Sequence, residues 1–314
     1  MKQHTPTVSV LMPVCNGQKY IKKAVNSILT QSFSDFEFII INDGSTDATG
    51  AILDTYTDQR IVRITYSKNR GLVKALNDGL QIAKGKYIAR MDADDISLPR
   101  RLEIQTNYMS INPNCIAVGS YTKYIDPEGW PIKIHKTKLL HHEIVCELMS
   151  GKGNAIVHGV AMIRKKGIED IGNYKDKYEF SEDLDLFLRL SEIGNLANLP
   201  KVLLKNRRHT QSVTHKTYHK WKNLKTQIIN DANKQKGFVF DESNIKIGSL
   251  YHDDFQLSLA KTAMFARNYH TAIKNYLTSI CINGPQKTHL KFFKEIYNEY
   301  FKKIRDYIIN NIVL

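Results

Sequence analysis

Short apolar runs alternate with stretches whose apolar residues recur every three or four positions, and this alternation fills the first 120 residues. The runs Thr7–Val14, Phe36–Asn42, Ile61–Tyr66 and Lys86–Met91 read as buried strands. Between them, Gln18–Gln31 places Ile21, Ala24, Val25 and Ile28 at helical spacing, a second helix follows Asp43–Asp47 through about Thr57, and Gly71–Lys84 is a third. Strand and helix alternating at this interval imply right-handed crossovers and a mainly parallel sheet flanked by helices. Ligands of such sheets bind at the carboxyl ends of the strands, where the acidic clusters Asp43–Asp47 and Asp92–Asp95 fall.

Further along, the pattern predicts a helix over Pro99–Asn112, a strand over Cys115–Ile125 and a turn at Asp126–Trp130. A helix over His141–Ser150, a loop at Gly151–Asn154, an apolar stretch Ala155–Ile163, a helix over Ser181–Ile193 and an edge strand over Leu199–Asn206 follow. From Lys216 the pattern is nearly all helical. This switch divides the chain into an α/β domain over residues 1–214 and a helical region over 215–314. In that region Ala260, Ala263, Ala266 and Ala272 with Tyr269 and Tyr276 suggest a close-packed helical hairpin.

Composition removes several classes. The 314 residues include 17 Gly, 8 Pro and 4 Cys, which excludes collagen-like, disordered and disulfide-stapled chains. Cys15, Cys115, Cys146 and Cys281 form no C-x-x-C pair and are expected to stay reduced. No run of about 18 apolar residues predicts a membrane span, and the N-terminus lacks the pattern of a signal peptide. The expectation is a cytoplasmic protein, or one peripheral on the inner face of the cytoplasmic membrane.

The net charge of +14 is unevenly spread, because residues 215–314 carry +8 of it. A basic surface suits a phosphorylated substrate, anionic lipid or nucleic acid, and equally a lysine-rich solvated surface. No basic motif interleaved with aromatics supports nucleic acid, so none is expected as a partner. Lys291–Ile312 is basic and amphipathic, with Phe292, Phe293, Tyr297 and Tyr300 among its apolar residues. It fits an anionic membrane surface, or a helix burying that face against its neighbours. A homo-oligomer is compatible with all of this.

Four motifs carry candidate chemistry. Asp92-Ala93-Asp94-Asp95 crowds carboxylates at a strand end, and their repulsion calls for a counter-charge such as Mn²⁺ or Mg²⁺. The same residues read as a solvated acidic turn in which Asp94 or Asp95 caps the next helix. Asp43 emerges from a strand into a glycine-bearing turn, where it can accept hydrogen bonds from a base or ribose. Glu182-Asp183-Leu184-Asp185 opens a helix, as dipole-favoured capping acids or with one of them as a general base. Arg207-Arg208-His209 suits a diphosphate clamp, a metal ligand or a plain basic loop.

Taken in order, Val10–Gly17, Ile41–Asp47, Asn69–Gly71 with Ala75, Asn77 and Gly79, Arg90–Asp95, His158-Gly159 with Met162–Arg164, Gly172–Tyr174, Glu182–Arg189 and Arg208-His209 resemble the family-2 inverting glycosyltransferases of the GT-A fold. The resemblance covers residues 7 to about 214. It implies a Rossmann-like sheet, a nucleotide-sugar donor (UDP foremost), Mn²⁺ or Mg²⁺, and a saccharide acceptor, lipid-linked in surface-polysaccharide assembly. Pro13, Cys15, Asn16, Asn69, Lys74, Arg90 and Ala93 would line the donor, and Asp43 would read the base. Asp92 would lie near the ribose and donor sugar, and Asp94 and His209 would be the metal ligands. Asp183 would be the catalytic base, with His158, Glu182 and Arg208 near the acceptor or behind these groups. Gly159 departs from the family, in which Pro or a small polar residue often follows the histidine.

Two rival readings stand beside this one. A nucleotidyltransferase would want a glycine-rich phosphate loop after the first strand, where Pro13–Gly17 has one glycine. A non-catalytic scaffold of the same fold is disfavoured by the joint presence of Asp43, Asp92, Asp94, Asp183 and His209.

Overall fold

The computed structural model describes residues 5–151, 153–210, 224–232, 255–266, 268–284, 286, 288–289, 291–295 and 297–298. The chain folds as two compact units. The first is Met1–Thr122, His135–Arg207 and Lys216–Ile247; the second is Lys123–Ile134, Arg208–His215 and Gly248–Leu314.

The first unit is built on β1 (Val8–Val14), β2 (Phe36–Asn42), β3 (Ile61–Thr65) and β4 (Tyr87–Arg90). β1 pairs in parallel with β2, from Val8 opposite Phe36 to Val14 opposite Asn42, and in parallel with β4, with Leu11 opposite Arg90. β3 continues the parallel set beyond β2. Every residue of β1 and β2 is buried. Their alternating side chains feed two cores. Leu11, Ile39 and Ile41 pack with helices α3 (Leu72–Ile82), α5 (His141–Met149), α6 (Lys165–Asp170) and α7 (Glu182–Leu190). Val10, Met12, Phe38 and Ile40 pack with α1 (Ile21–Leu29) and α4 (Arg101–Ile111). Burial on both faces explains why these strands read as continuous apolar runs.

Beyond these four strands the sheet is mixed. Its full order is β3-β2-β1-β4-β8-β6-β9-β5, with β7 joining β6. Here β5 is Ile96–Ser97, β6 Cys115–Ile125, β7 Pro131–His135, β8 Met162–Arg164 and β9 Asn195–Arg207. β8 runs antiparallel to β4 and β6, and β5 antiparallel to β9. The expected edge strand is therefore an interior strand of 13 residues. Its neighbour β5 has two residues, too few for any periodicity, and follows directly on the acidic turn. The apolar stretch Ala155–Ile163 holds a 3₁₀ turn at His158–Val160 and then β8.

The second unit contains the expected hairpin, after a helix over residues 224–232 (α8) that belongs to the first unit. Helices α9 (Phe255–Phe265) and α10 (Tyr269–Asn283) pack through fully buried Ala260, Ala263 and Ala272 onto Tyr124, Ile132, Tyr276 and Phe292. Asp126 is fully buried beneath the Asp126–Trp130 turn. It accepts from the backbone amides of Glu128, Gly129 and Trp130 and from the Lys274 ammonium. The greater part of the basic amphipathic segment, from residue 299 to Ile312, lies outside the described residues. Among the described residues, no helix is long and apolar enough to cross a membrane.

The burial gradient across the sheet sets a test. Ile39 is fully buried whereas Val62 on β3 is 37% exposed. Ile39→Ala is expected to lower stability by about 3 kcal/mol and Val62→Ala by less than about 1 kcal/mol, measured by urea denaturation.

Candidate active site

Three turns at the carboxyl ends of β1, β2 and β3 close into one wall. Asn16 adopts a left-handed backbone, φ 54°, which asparagine tolerates better than most residues. Its amide donates to Ser45 Oγ at 2.9 Å, and its Oδ1 accepts from the Thr46 amide at 2.8 Å. The Gly17 amide reaches Thr49 Oγ1 at 2.8 Å and the Gln18 amide reaches Asp47 Oδ2 at 3.1 Å. The third turn is clamped by Asp43, 4% exposed, whose oxygens accept from the amides of Arg70 at 2.7 Å and Gly71 at 3.0 Å. A carboxylate has about four acceptor positions, so capacity for a base or ribose remains. Gly44 is obligatory here: its φ is +63°, and a Cβ would fall 2.2 Å from the Lys68 carbonyl carbon.

The other expected donor residues gather around this wall. Pro13 is buried at the end of β1, and Cys15 beyond it is exposed. Asn69 Nδ2 donates to Cys15 Sγ at 3.2 Å. Lys74 is engaged by Asp78 at 2.6 Å, a carboxylate that also accepts from the Tyr66 hydroxyl. Ala93 packs part-buried against the core beneath β1.

At the end of β4 each carboxylate of the Asp92–Asp95 turn meets a different environment. Asp92 keeps 36% of its side-chain surface exposed and accepts from Arg90 Nη2 at 2.8 Å. Desolvation in this crowded turn raises its pKa, Arg90 opposes the rise and the charge of Asp94 adds to it. Asp95 is fully buried and accepts from Asn206 Nδ2 at 2.9 Å and the Arg207 amide at 2.7 Å. It fastens the turn to β9, and burial holds its pKa well above the usual carboxylate range. The main-chain carbonyl of Asp94 accepts from Arg207 Nε at 2.9 Å.

Arg101, on the first turn of α4, is fully buried under this cluster. It donates to the Arg90 carbonyl at 2.6 Å and to Gln105 Oε1 at 3.0 Å. Desolvation lowers its pKa to about 9, against the opposing pull of Asp95 and Asp92. Sequence reasoning missed it, because an arginine after Pro99-Arg100 reads as surface.

The opposite side is formed by the 3₁₀ turn and the N-terminus of α7. A Cβ on Gly159 would lie 2.5 Å from Asp92 Oδ2 and 3.1 Å from Asp95 Oδ2. This close approach gives a physical reason for glycine where the family often has a bulkier residue. His158 is enclosed: one ring nitrogen lies 2.8 Å from the Tyr174 hydroxyl and the other 3.8 Å from Glu182 Oε1. Burial, with help from Arg90, pushes its pKa well below the ordinary value, so it is neutral at pH 7. Glu182 is 5% exposed, and its Oε2 is buried without a hydrogen-bond partner.

Burial and the charge of Asp183 push Glu182 up to about 8, whereas Asp183 rises to about 6 through burial, relieved by the Leu184 amide and by Lys225. Burial raises both members of the pair, Glu182 further than Asp183. Environments that drive a pair apart in this way divide acid from base. Lys225, on α8, was also missed by sequence reasoning, since a lysine in a polar helix carries no signal.

The acidic turn fits a hard divalent cation held by one or two carboxylates plus donor oxygens. Asp92 and Asp94 repel one another there, while Asp95 is already engaged on both oxygens. Among the described residues no three His, Cys, Asp or Glu side chains form a metal cluster. Arg208 and His209 fall in a segment of the second unit, where the Arg208 guanidinium lies over the Tyr124 ring at 5.0 Å and the Arg208 amide donates to the Ile125 carbonyl at 2.8 Å.

Comparison with known proteins agrees with this architecture. Residues 9–172 match the model of glycosyl transferase family 2. A glycosyltransferase of Haemophilus influenzae is 32% identical over 96% of this chain and 98% of its own. One from Rickettsia prowazekii is 26% identical over 94% and 98%. Among solved structures, Staphylococcus aureus TarS 1–349 in complex with UDP-GlcNAc superposes with a TM-score of 0.59 at 17% identity, over 87% of this chain and 90% of that one. The mannosyltransferase PcManGT of Pyrobaculum calidifontis, in complex with GDP-Man and Mn²⁺, gives 0.55 at 16% identity, over 97% and 84%. Both likenesses establish the GT-A fold. The family match and the near full-length relative place this chain in glycosyl transferase family 2.

Proposed function

We propose that the protein is an inverting, divalent-metal-dependent glycosyltransferase that moves a sugar from a nucleoside diphosphate, UDP foremost, to a hydroxyl of a saccharide acceptor. The acceptor we propose is carried on a lipid during surface-polysaccharide assembly. The observation that carries the reaction type is the pair of acids opening α7, Glu182 buried against His158 and Asp183 beside it, within electrostatic reach of Asp92 at the end of β4. Family membership supports sugar transfer, and the UDP-GlcNAc and GDP-Man held by the structural neighbours support a nucleotide-sugar donor.

Inverting transfer is a single displacement at the anomeric carbon. It needs one base for the acceptor hydroxyl and stabilisation of the departing diphosphate. Asp183 is the proposed base, accepting the hydroxyl proton as the acceptor oxygen bonds to carbon and the bond to the diphosphate breaks. Burial favours the neutral form of Glu182, which lessens the negative charge beside Asp183. Asp94, with Asp92 beside it and His209 as the second candidate, would hold Mn²⁺ or Mg²⁺, which neutralises diphosphate charge when bound. Asp43, Asn16 and Asn69 belong to the wall proposed to seat the nucleoside.

Two outcomes follow. Asp183→Asn abolishes transfer while leaving donor affinity within about twofold, and native activity falls as pH drops through about 6, because the base must be deprotonated. Near-native turnover of the variant, or a rate flat from about pH 5 to 8, removes Asp183 as base. In a hydrolysis screen of UDP-, GDP- and dTDP-sugars with Mn²⁺, at least one donor is cleaved; neither cleavage nor binding of any donor contradicts the donor class.

A further inference from the structure

The first turn of α3 takes its caps from elsewhere in the chain. A helix begins with amides that have no partner inside it, and the N-cap residue here, Gly71 at φ 94°, has no side chain to offer them. Two distant carboxylates supply the acceptors. Asp43, at the end of β2, takes the amides of Arg70 and Gly71, and Glu179 Oε1 takes the next amide, that of Leu72, at 3.1 Å. A Cβ on residue 71 would fall 2.5 Å from the same oxygen, so glycine leaves the Glu179 carboxylate its place.

Glu179 also lies in the turn that leads into α7. Residues 178–181 close with the Ser181 amide donating to the Tyr178 carbonyl at 2.9 Å. Glu179 at φ −50° and ψ 137°, followed by Phe180 at φ 76°, has the geometry of a type II turn, whose third position favours glycine or asparagine. An aromatic residue in this left-handed region is an outlier that its surroundings must enforce. The chain then passes through Ser181, the N-cap of α7, into Glu182 and Asp183. A second tie to α3 lies upstream, where Asn77 Nδ2 donates to the Tyr174 carbonyl at 2.9 Å and Asn77 Oδ1 accepts from the Tyr174 amide at 3.1 Å. The segment before α7 is thus fastened to α3 at Tyr174 and again at Glu179.

We infer that Glu179 is a positioning residue for transfer: through its hydrogen bond to the Leu72 amide it holds the strained 178–181 turn against α3, and so sets the acids that open α7 relative to the turn clamped by Asp43. This role rests on the reading above, with Asp183 as base and the Asp43 wall as the seat of the nucleoside. Reach rather than charge is what the position requires, because a side-chain amide oxygen accepts from Leu72 as a carboxylate does. The competing role, a cap of α3 alone, would cost stability and leave the start of α7 untouched.

Hydrogen exchange on the full-length chain, without nucleotide or metal, tests the positioning itself. In Glu179→Ala, and in Glu179→Asp, which keeps the charge on a shorter stem, the peptide covering residues 178–187 exchanges about tenfold faster while the peptide covering β1 is unchanged. Glu179→Gln stays within about twofold of the native chain in both peptides. With UDP-GlcNAc and Mn²⁺ as probe, kcat for UDP release falls about tenfold in Glu179→Ala with KM within about twofold, and Glu179→Gln restores it. Native exchange over 178–187, equal acceleration in β1, or a Gln variant as impaired as the Ala variant overturns the inference. A native kcat in Glu179→Ala beside an inactive Asp183→Asn removes the inference and leaves the base assignment standing; an active Asp183→Asn removes both. The exchange arm needs no donor, so it decides where UDP-GlcNAc is not turned over.

Discussion

Crowding carboxylates into a partly dry site is the constraint around which the rest of this molecule is arranged. Asp92, Asp94 and Asp95 close one strand and Glu182 with Asp183 open one helix, and the two groups act on each other electrostatically. Desolvation penalises every one that is both buried and ionised. The chain meets this in three ways. Asp95 is tied by Asn206 and the Arg207 amide, Asp92 is paired with Arg90 above buried Arg101, and burial favours the neutral form of Glu182. The tie to Asp95 brings β9 from more than 100 residues away to the end of β4, where Arg101 of α4 is buried.

The wall proposed to seat the nucleoside is built from turns whose backbone amides are held by side chains. Asp43 uses its carboxylate to hold the amides of Arg70 and Gly71, and Asn16 does the same for the turn after β2. Side chains that look like ligand-binding groups thus also build the wall. Replacing Asp43 would disturb the third turn and any base contact together, so loss of donor binding in such a variant would not separate the two roles.

The parallel half of the sheet was legible because β1 and β2 are buried on both faces and read as unbroken apolar runs, with helices of clear period between them. The mixed half was harder. β5 has two residues, too few to show any pattern, and β9 lies in the interior where an edge strand was expected. At the site, Asp92, Asp94, Glu182 and Asp183 announced themselves by clustering. Arg101 and Lys225 did not, since a buried cation has the same sequence signature as a solvated one and only long-range packing tells them apart. Gly159 was visible as a departure from its family, but its reason, the approach of Asp92 and Asp95, exists only in three dimensions.

Everything proposed for the site depends on the acidic turn after β4 binding a nucleoside diphosphate together with a divalent cation. Calorimetric titration of UDP in Mn²⁺ and in excess chelator, on the native chain and on Asp94→Ala, tests this directly. Binding at least about tenfold tighter with Mn²⁺ is expected in the native chain, with loss of that gain in the variant. Equal UDP affinity of the native chain in both buffers would contradict it.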